Sequence, residues 1–194
     1  MGEQPPEDEL ERYLETVTIG AVERRAVEIV EYDPSWADRF AREQARIREA
    51  LGDRVIILEH IGSTAVPGLA AKPIVDILLV VDDPADEAAY VPALVAAGYG
   101  LRIREPAWHE HRMLRTPARD VHLHVLPPGC QEIERYLLLR DRLRGEASER
   151  ELYAAAKRRL AAQDWPTAQH YAEAKTEVVE TIIARAREVR AGGA

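Results

Sequence analysis

The apolar positions of this chain recur with two periods, and the change from one to the other outlines its elements. From Ile57 to Val81 the sequence reads ILEHIGSTAVPGLAAKPIVDILLVV: an apolar run, a Gly-Ser turn, a Gly/Pro-punctuated connection and a second apolar run. This predicts strand, tight turn, short helical or irregular segment, strand. Asp120 to Val125, DVHLHV, alternates with period two, placing His122 and His124 on one face and Val121, Leu123 and Val125 on the other. Arg24 to Glu31, with Val27, Ile29 and Val30, is strand-like. Helical stripes are expected at Glu9–Val17 (Leu10, Tyr13, Leu14, Val17) and Trp36–Leu51 (Trp36, Phe40, Ile47, Leu51), the second closed by Gly52. Further helices are expected at Ala85–Ala97, Glu132–Arg144, Ser148–Gln163 and, as one long element, Thr167–Arg190. Leu101 to Arg119 keeps neither period and is expected to be irregular. The pattern predicts an α/β (α+β) fold: a mixed sheet of about four to six strands with helices packed on it and a helical C-terminal region. Residues 1–23 read as an arm with a short helix, whose apolar face packs on the main body or on a second subunit. Residues 24–190 read as one domain, with the sheet core at about 24–128 and C-terminal helices at about 131–190.

One polar residue interrupts the second apolar run. Asp76 lies on the strand face shared with Leu78 and Val80, while Val75, Ile77, Leu79 and Val81 form the core face. A carboxylate enters such a run when it is paired, hydrogen-bonded or holding a metal. Gly62 and Ser63 follow the first run directly, where free backbone N–H groups form an anion cradle. Asp76 should face that cradle. Two imidazoles two apart on a strand, His122 and His124, can both face a metal or an anion, unless they sit unused on an edge strand. His60 precedes the turn as a structural hydrogen-bonder or as a ligand. Ser63 and Thr64 cap the turn, offer hydroxyls to phosphate, or do both. Lys72 either reaches a phosphate or is solvated.

The net charge of −8 argues against a general binder of long nucleic acid. A single cysteine, Cys130, excludes an internal disulfide and fits a reducing compartment. The acidic N-terminus has no apolar signal region, and no apolar run approaches spanning length. A cytoplasmic protein without a membrane partner is expected.

EHIGSTAVPGLAAKPIVDI resembles the signature of the GrpB family, related to the nucleotidyltransferase superfamily with its DNA polymerase β palm-like fold. YDPSW near residue 32, the LHV of the later strand and LLRDRLR in the C-terminal third are also similar to the family, with Leu139 where an aromatic is usual. The resemblance spans roughly residues 30 to 187. It implies that Gly62 and Ser63 bind phosphates, with Asp76 as metal ligand. Leu78 stands where the superfamily carries a second acid, and His122 or His124 stands near the position of the third. Two i, i+4 pairs, Tyr153/Lys157 and Tyr171/Lys175, are expected on the same grounds to send lysines toward the ligand, the plainer alternative being that each snorkels to water. Arg112 and Arg140 are expected to neutralise phosphate charge, and His60, His122 or His124 to act as base or ligand. The implied function is metal-dependent binding of a nucleotide or other phosphorylated small molecule, with Mg²⁺ or Mn²⁺, or Zn²⁺ if histidines replace lost acids, and nucleotidyl transfer to a small acceptor. The alternatives are a non-catalytic ligand-binding accessory module, in keeping with family domains fused to dephospho-CoA kinase, and metal-assisted hydrolysis at His60, Asp76, His122 and His124.

Overall fold

In the computed structural model, residues 7–23 and 26–192 are described. Five strands form one sheet: β1 Ile57–Ile61, β2 Val75–Val80, β3 Gly100–Glu105, β4 His111–Arg115 and β5 Val121–Leu126, in the order β1-β2-β5-β4-β3. Only the β2–β5 pair is parallel; the other pairs are antiparallel, so the sheet is mixed as expected.

Alternation along β2 sets the two faces. Val75, Ile77 and Leu79 join Leu123 and Val125 of β5 beneath two helices, α2 (Ser35–Leu51) and α3 (Glu87–Ala96). Trp36, Ile47 and Leu51 of α2 and Tyr90 and Leu94 of α3 fill that layer. Leu78 and Val80 point the other way and pack with Ile61 and Leu126 against α4 (Gln131–Gly145). A strand covered on both faces reads as a continuous apolar run, which is why the segment after Pro73 is nearly unbroken. The helices α5 (Ala147–Ala161), α6 (Ala168–Glu173) and α7 (Thr176–Gly192) extend the α4 layer, joined through Val66, Leu69, Leu143, Tyr153 and Ile182. The N-terminal helix α1 (Glu7–Val17) buries Leu10, Leu14 and Val17 and leads into a bridge from Thr18 to Ile103 of β3.

Three expectations need correction. Residues 101–119 hold a hairpin, β3–β4, instead of irregular chain. Its turn places His109 and Glu110 in the left-handed region (φ 55° and 51°), so no Gly or Asn marks it, and Arg102, Arg104 and Arg112 blur its alternation. The single helix expected at 167–190 is two, parted at Ala174–Lys175 with neither Gly nor Pro at the break. The strand expected at 24–31 is reduced to one bridge, Val30 to Ala71, with Arg24 and Arg25 outside the described residues. Of the arm expected before the first helix, Met1–Asp8, residues 1–6 lie outside them and Glu7 and Asp8 belong to α1.

Leu78 is fully buried, so Leu78→Ala should lower unfolding stability by about 2–5 kcal/mol through lost transfer energy and a cavity. Urea denaturation measures this; a change below about 1 kcal/mol contradicts the two-sided packing of β2.

Candidate functional site

The parallel register puts Asp76 beside His122 and Leu78 beside His124, so the carboxylate and both imidazoles share one face. Asp76 Oδ1 is 3.4 Å from His122 Nδ1 and 3.7 Å from His124 Nε2. One donor atom from each of the three lies within 4.8 Å of the others. Since β5 is flanked by β2 and β4, the histidines are not on an edge strand. The turn after β1 closes the site from above. Gly62 has φ +68°, and a Cβ there would stand 2.6 Å from Asp76 Oδ2. Glycine is therefore required twice, by the backbone angle and by the carboxylate packed against it. Asp76 does face the Gly-Ser bend.

A chain of hydrogen bonds fixes the orientation of His124. His111 Nδ1 donates to Glu105 Oε2 at 2.6 Å, and Tyr13 Oη donates to Glu105 Oε1 at 2.5 Å. Burial pushes the Glu105 carboxyl up, but its bonds from His111 and Tyr13 outweigh this and hold it below the usual range, so it is ionised. Burial lowers the affinity of His111 for a second proton, despite Glu105. With its one hydrogen on Nδ1, His111 accepts at Nε2 from His124 Nδ1–H, 3.1 Å away. The only His124 nitrogen left to face Asp76 is Nε2. Burial would raise the Asp76 carboxyl, yet the two histidines facing it keep it ionised, well below the ordinary carboxylate range. Nε2 can answer that charge only by taking a second proton or by sharing a cation. Ligands about 2.0–2.2 Å from a tetrahedral ion lie roughly 3.4 Å apart, close to the separations seen, so the three residues fit a divalent metal.

Lysines gather on the same hollow. Lys157, 2 % exposed, donates to Ser63 Oγ at 2.9 Å and to the Ala70 carbonyl, and its Nζ lies 4.8 Å from the Tyr153 ring centroid. Burial, reinforced by Lys175, Arg158 and Lys72, pushes its ammonium down to about 7. Lys72 is pushed down to about 8 by burial and by Lys175, and Lys175 is lowered chiefly by burial. Both stand over the Tyr171 ring, at 5.3 and 4.8 Å. None of the three forms an ion pair among the described residues. The break between α6 and α7 brings Lys175 here, and the lysines point inward instead of snorkelling to water. A cavity of about 290 Å³ beside the site is lined by Gly62, Ser63, His124 and Lys175 together with Tyr136, Tyr153, Leu139, Val179 and Ile183.

Other expected site residues lie elsewhere. His60 points to the opposite face, where it stacks on Phe40 (4.8 Å) and shares a 3.0 Å hydrogen bond with Thr64 Oγ1. Thr64 in turn donates to the Ile74 carbonyl, so the pair ties the turn to β2 instead of reaching the ligand. Odd–even alternation is the reason: His60 is in register with Ile77, whereas Ile61 is in register with Asp76. Arg112 also projects to the α3 face, held by Glu87 (2.6 Å) and Glu110. Arg140 lines the rim of the cavity but is engaged by Glu59 (2.7 Å), the His60 carbonyl and Asp141. Sequence reasoning misses Tyr13, Glu105 and His111 as supports. The missed hairpin hides them, because Glu105 and His111 become neighbours only in its register.

Residues 26–185 match the family described as GrpB protein. The chain is 51 % identical over 175 residues to UPF0157 protein BH1888 of Halalkalibacterium halodurans, covering 89 % of this chain and 90 % of that one. It is 48 % identical over 172 residues to UPF0157 protein SCO7215 of Streptomyces coelicolor, at 89 % and 90 % coverage. Its fold is similar to the crystal structure of conserved protein GrpB from Enterococcus faecalis, with a TM-score of 0.75, 30 % identity, and coverage of 84 % of this chain and 99 % of that one. With the family match covering nearly the whole sheet and helical layer, this chain belongs to the GrpB family.

Proposed function

We propose that the chain binds a nucleotide or similar phosphorylated small molecule together with one divalent metal ion, and, where the ligand is a nucleoside triphosphate, transfers its nucleotidyl group to a small acceptor with cleavage of the α–β phosphoanhydride bond and release of pyrophosphate. The observation that carries this is an ionised Asp76 facing His122 and His124, near the buried Lys157 and the half-buried Lys72 and Lys175, none of which forms an ion pair among the described residues. One carboxylate and two imidazoles suit Mn²⁺ or Zn²⁺ better than the all-oxygen preference of Mg²⁺. A bound ion there supplies charge neutralisation to phosphate oxygens. Ser63, Lys157, Lys175 and Lys72 bind phosphate oxygens, and Gly62 leaves room for the Asp76 carboxylate. The cavity between Tyr136, Tyr153, Leu139 and Val179 takes the organic part and keeps water away. Phosphoryl chemistry asks mainly for this positioning and charge compensation. His122 turns one nitrogen, Nδ1, to the site, so it either binds the ion or takes the acceptor's proton, and in the metal-bound state it is a ligand.

Leu78 favours a second reading. It occupies the place of a second acid and is fully buried, so β2 offers one carboxylate, and binding without turnover is the outcome if one ion is insufficient. Hydrolysis through a four-residue set is disfavoured because His60 is on the other face.

Titration calorimetry with Mn²⁺ should give one ion per chain, abolished by Asp76→Asn. At 100 times Kd the ion should add about 2.7 kcal/mol of stability to the natural protein and none to the variant. No binding of Mn²⁺ or Zn²⁺ ends the metal reading, and a triphosphate bound but never consumed selects the accessory module.

Glu105→Gln and His111→Ala should each weaken Mn²⁺ roughly 10–100-fold, as loss of the groups that orient a metal-binding histidine does, while phosphate affinity measured without metal stays constant. An unchanged Mn²⁺ affinity would show that the hydrogen-bond chain does not set His124.

Lys157 is largely neutral at pH 8 in the free protein, and an anion beside it favours the ammonium. Phosphate binding at pH 8 should therefore take up close to one proton, read from calorimetry in buffers of different ionisation enthalpy, and Lys157→Met should abolish the uptake. Without ligand the sign is opposite: the unfolded chain keeps a proton the folded one has lost, so this lysine's contribution makes stability rise from about pH 7 toward its ordinary value.

A further inference from the structure

A second cluster adjoins the site on the far side of His122. Arg115 of β4 is the register partner of His122, so Asp76, His122 and Arg115 form one row across the sheet. The Arg115 guanidinium holds Glu23 side on, with Nη2 donating to Oε1 at 2.7 Å and Nη1 to Oε2 at 3.1 Å. Arg119 Nη1 is 3.0 Å from Oε2, and Arg102 Nη2 is 3.8 Å from Oε1. Two guanidinium groups thus grip one carboxylate and a third, Arg102, lies beside it with its Nη1 and Nη2 donating to the Ile19 and Ala21 carbonyls, and no other acid among the described residues pairs with the three. A cavity of about 240 Å³ opens between these arginines, with Lys72 and His122 in its wall.

We infer that this arginine-lined cavity is a second ligand subsite, built for a carboxylate-bearing small molecule, and that Glu23 fills it as the chain's own competitor. The inference rests on the proposed phosphate reading only for what its neighbour binds. Three features carry it. The cation in contact differs on the two sides: the compact ammonium of Lys157 meets Ser63, whereas the planar fork of Arg115, which matches a carboxylate, holds Glu23 side on. The cationic groups outnumber the acid three to one before Lys72 is added. Glu23 also arrives on residues 18–23, which lie along β3 through the Thr18–Ile103 bridge and the Ile19 N–H to Arg102 carbonyl bond (2.8 Å). Its side chain is 32 % exposed and that of Arg119 46 %, so water and a dissolved carboxylate can reach the pair, and because Glu23 lies outside the five strands its exchange for a free carboxylate leaves the sheet intact. A tethered competitor acts at high effective concentration, which makes the natural protein a weak binder until a matching ligand displaces it. The adjoining His122 places such a ligand where an acceptor would meet a phosphate at Ser63.

Succinate is the probe, titrated calorimetrically without metal into the natural protein, Glu23→Gln and the double variant Glu23→Gln/Arg119→Gln. Removing the competitor should tighten succinate at least tenfold, and removing Arg119 as well should reverse the gain. Equal affinity in the natural protein and Glu23→Gln overturns the subsite. Inorganic phosphate gaining more than succinate from Glu23→Gln overturns its carboxylate assignment. If Glu23→Gln fails to fold, Arg119→Gln alone decides the matter, since it must weaken succinate at least fivefold in the natural background, and no change overturns the proposal. Mn²⁺ titrated into the same proteins separates the two readings. A succinate gain without Mn²⁺ binding leaves this subsite standing and removes the metal site; Mn²⁺ binding without a succinate gain does the reverse.

Discussion

An ionised carboxylate on an interior strand of a sheet is the constraint from which the rest of the site follows. Asp76 loses water on β2 and must find charge or hydrogen-bond donors nearby. The parallel partner β5 provides two imidazoles at alternate positions, and the turn after β1 must be glycine at residue 62 so that the backbone can pass over the carboxylate. His124 is then fixed from behind by His111 and Glu105, which in turn reach Tyr13 on the N-terminal helix. A short chain of polar groups therefore runs from the surface of α1 to the centre of the sheet. Each member has its hydrogen atoms assigned by the next, so the nitrogen offered to Asp76 is set by residues that never approach it.

The charge of the hollow contrasts with that of the whole. A chain of net −8 sets Lys157 on Ser63, Lys72 and Lys175 on the nearby Tyr171 ring, and Arg102, Arg115 and Arg119 around one glutamate. Burial and mutual repulsion push Lys157 and Lys72 toward neutrality when nothing is bound. An anion bound there would relieve that repulsion, drawing on charges already concentrated in the free protein. A lysine ammonium meets Ser63 on one side of the site and an arginine fork meets Glu23 on the other, which gives the two cavities different geometric preferences.

Coverage of β2 on both faces limits what chemistry the fold supports. The α2–α3 layer seals the face of Ile77 and Leu79, and α4 seals Leu78 and Val80, leaving Asp76 open only at the end of the strand near the Gly-Ser turn. A second acid at residue 78 would be driven into the α4 contact. The family's helical C-terminal part thus does two jobs, closing the apolar core and bringing Tyr153, Lys157 and Lys175 over the site. The GrpB structure from Enterococcus faecalis shares this architecture across most of the chain.

The elements whose periodicity is local were legible in the chain itself. Asp76 shows as the one acid in an apolar run, Gly62-Ser63 as a turn, and His122 and His124 as one face of an alternating strand, because side-chain direction in a strand follows from residue parity alone. Four of the five longer helices were visible for the same reason. What depends on which strand lies beside which was not legible. Register turned His60 and Arg112 away from the site, and the β3–β4 hairpin, whose turn uses His109 and Glu110 in place of glycine, brought Glu105 and His111 together behind His124. Sequence alone therefore determined the types of residue available to the site, whereas the three-dimensional pairing decided their company, since hydrogen bonds and ion pairs between distant segments leave no period in the chain.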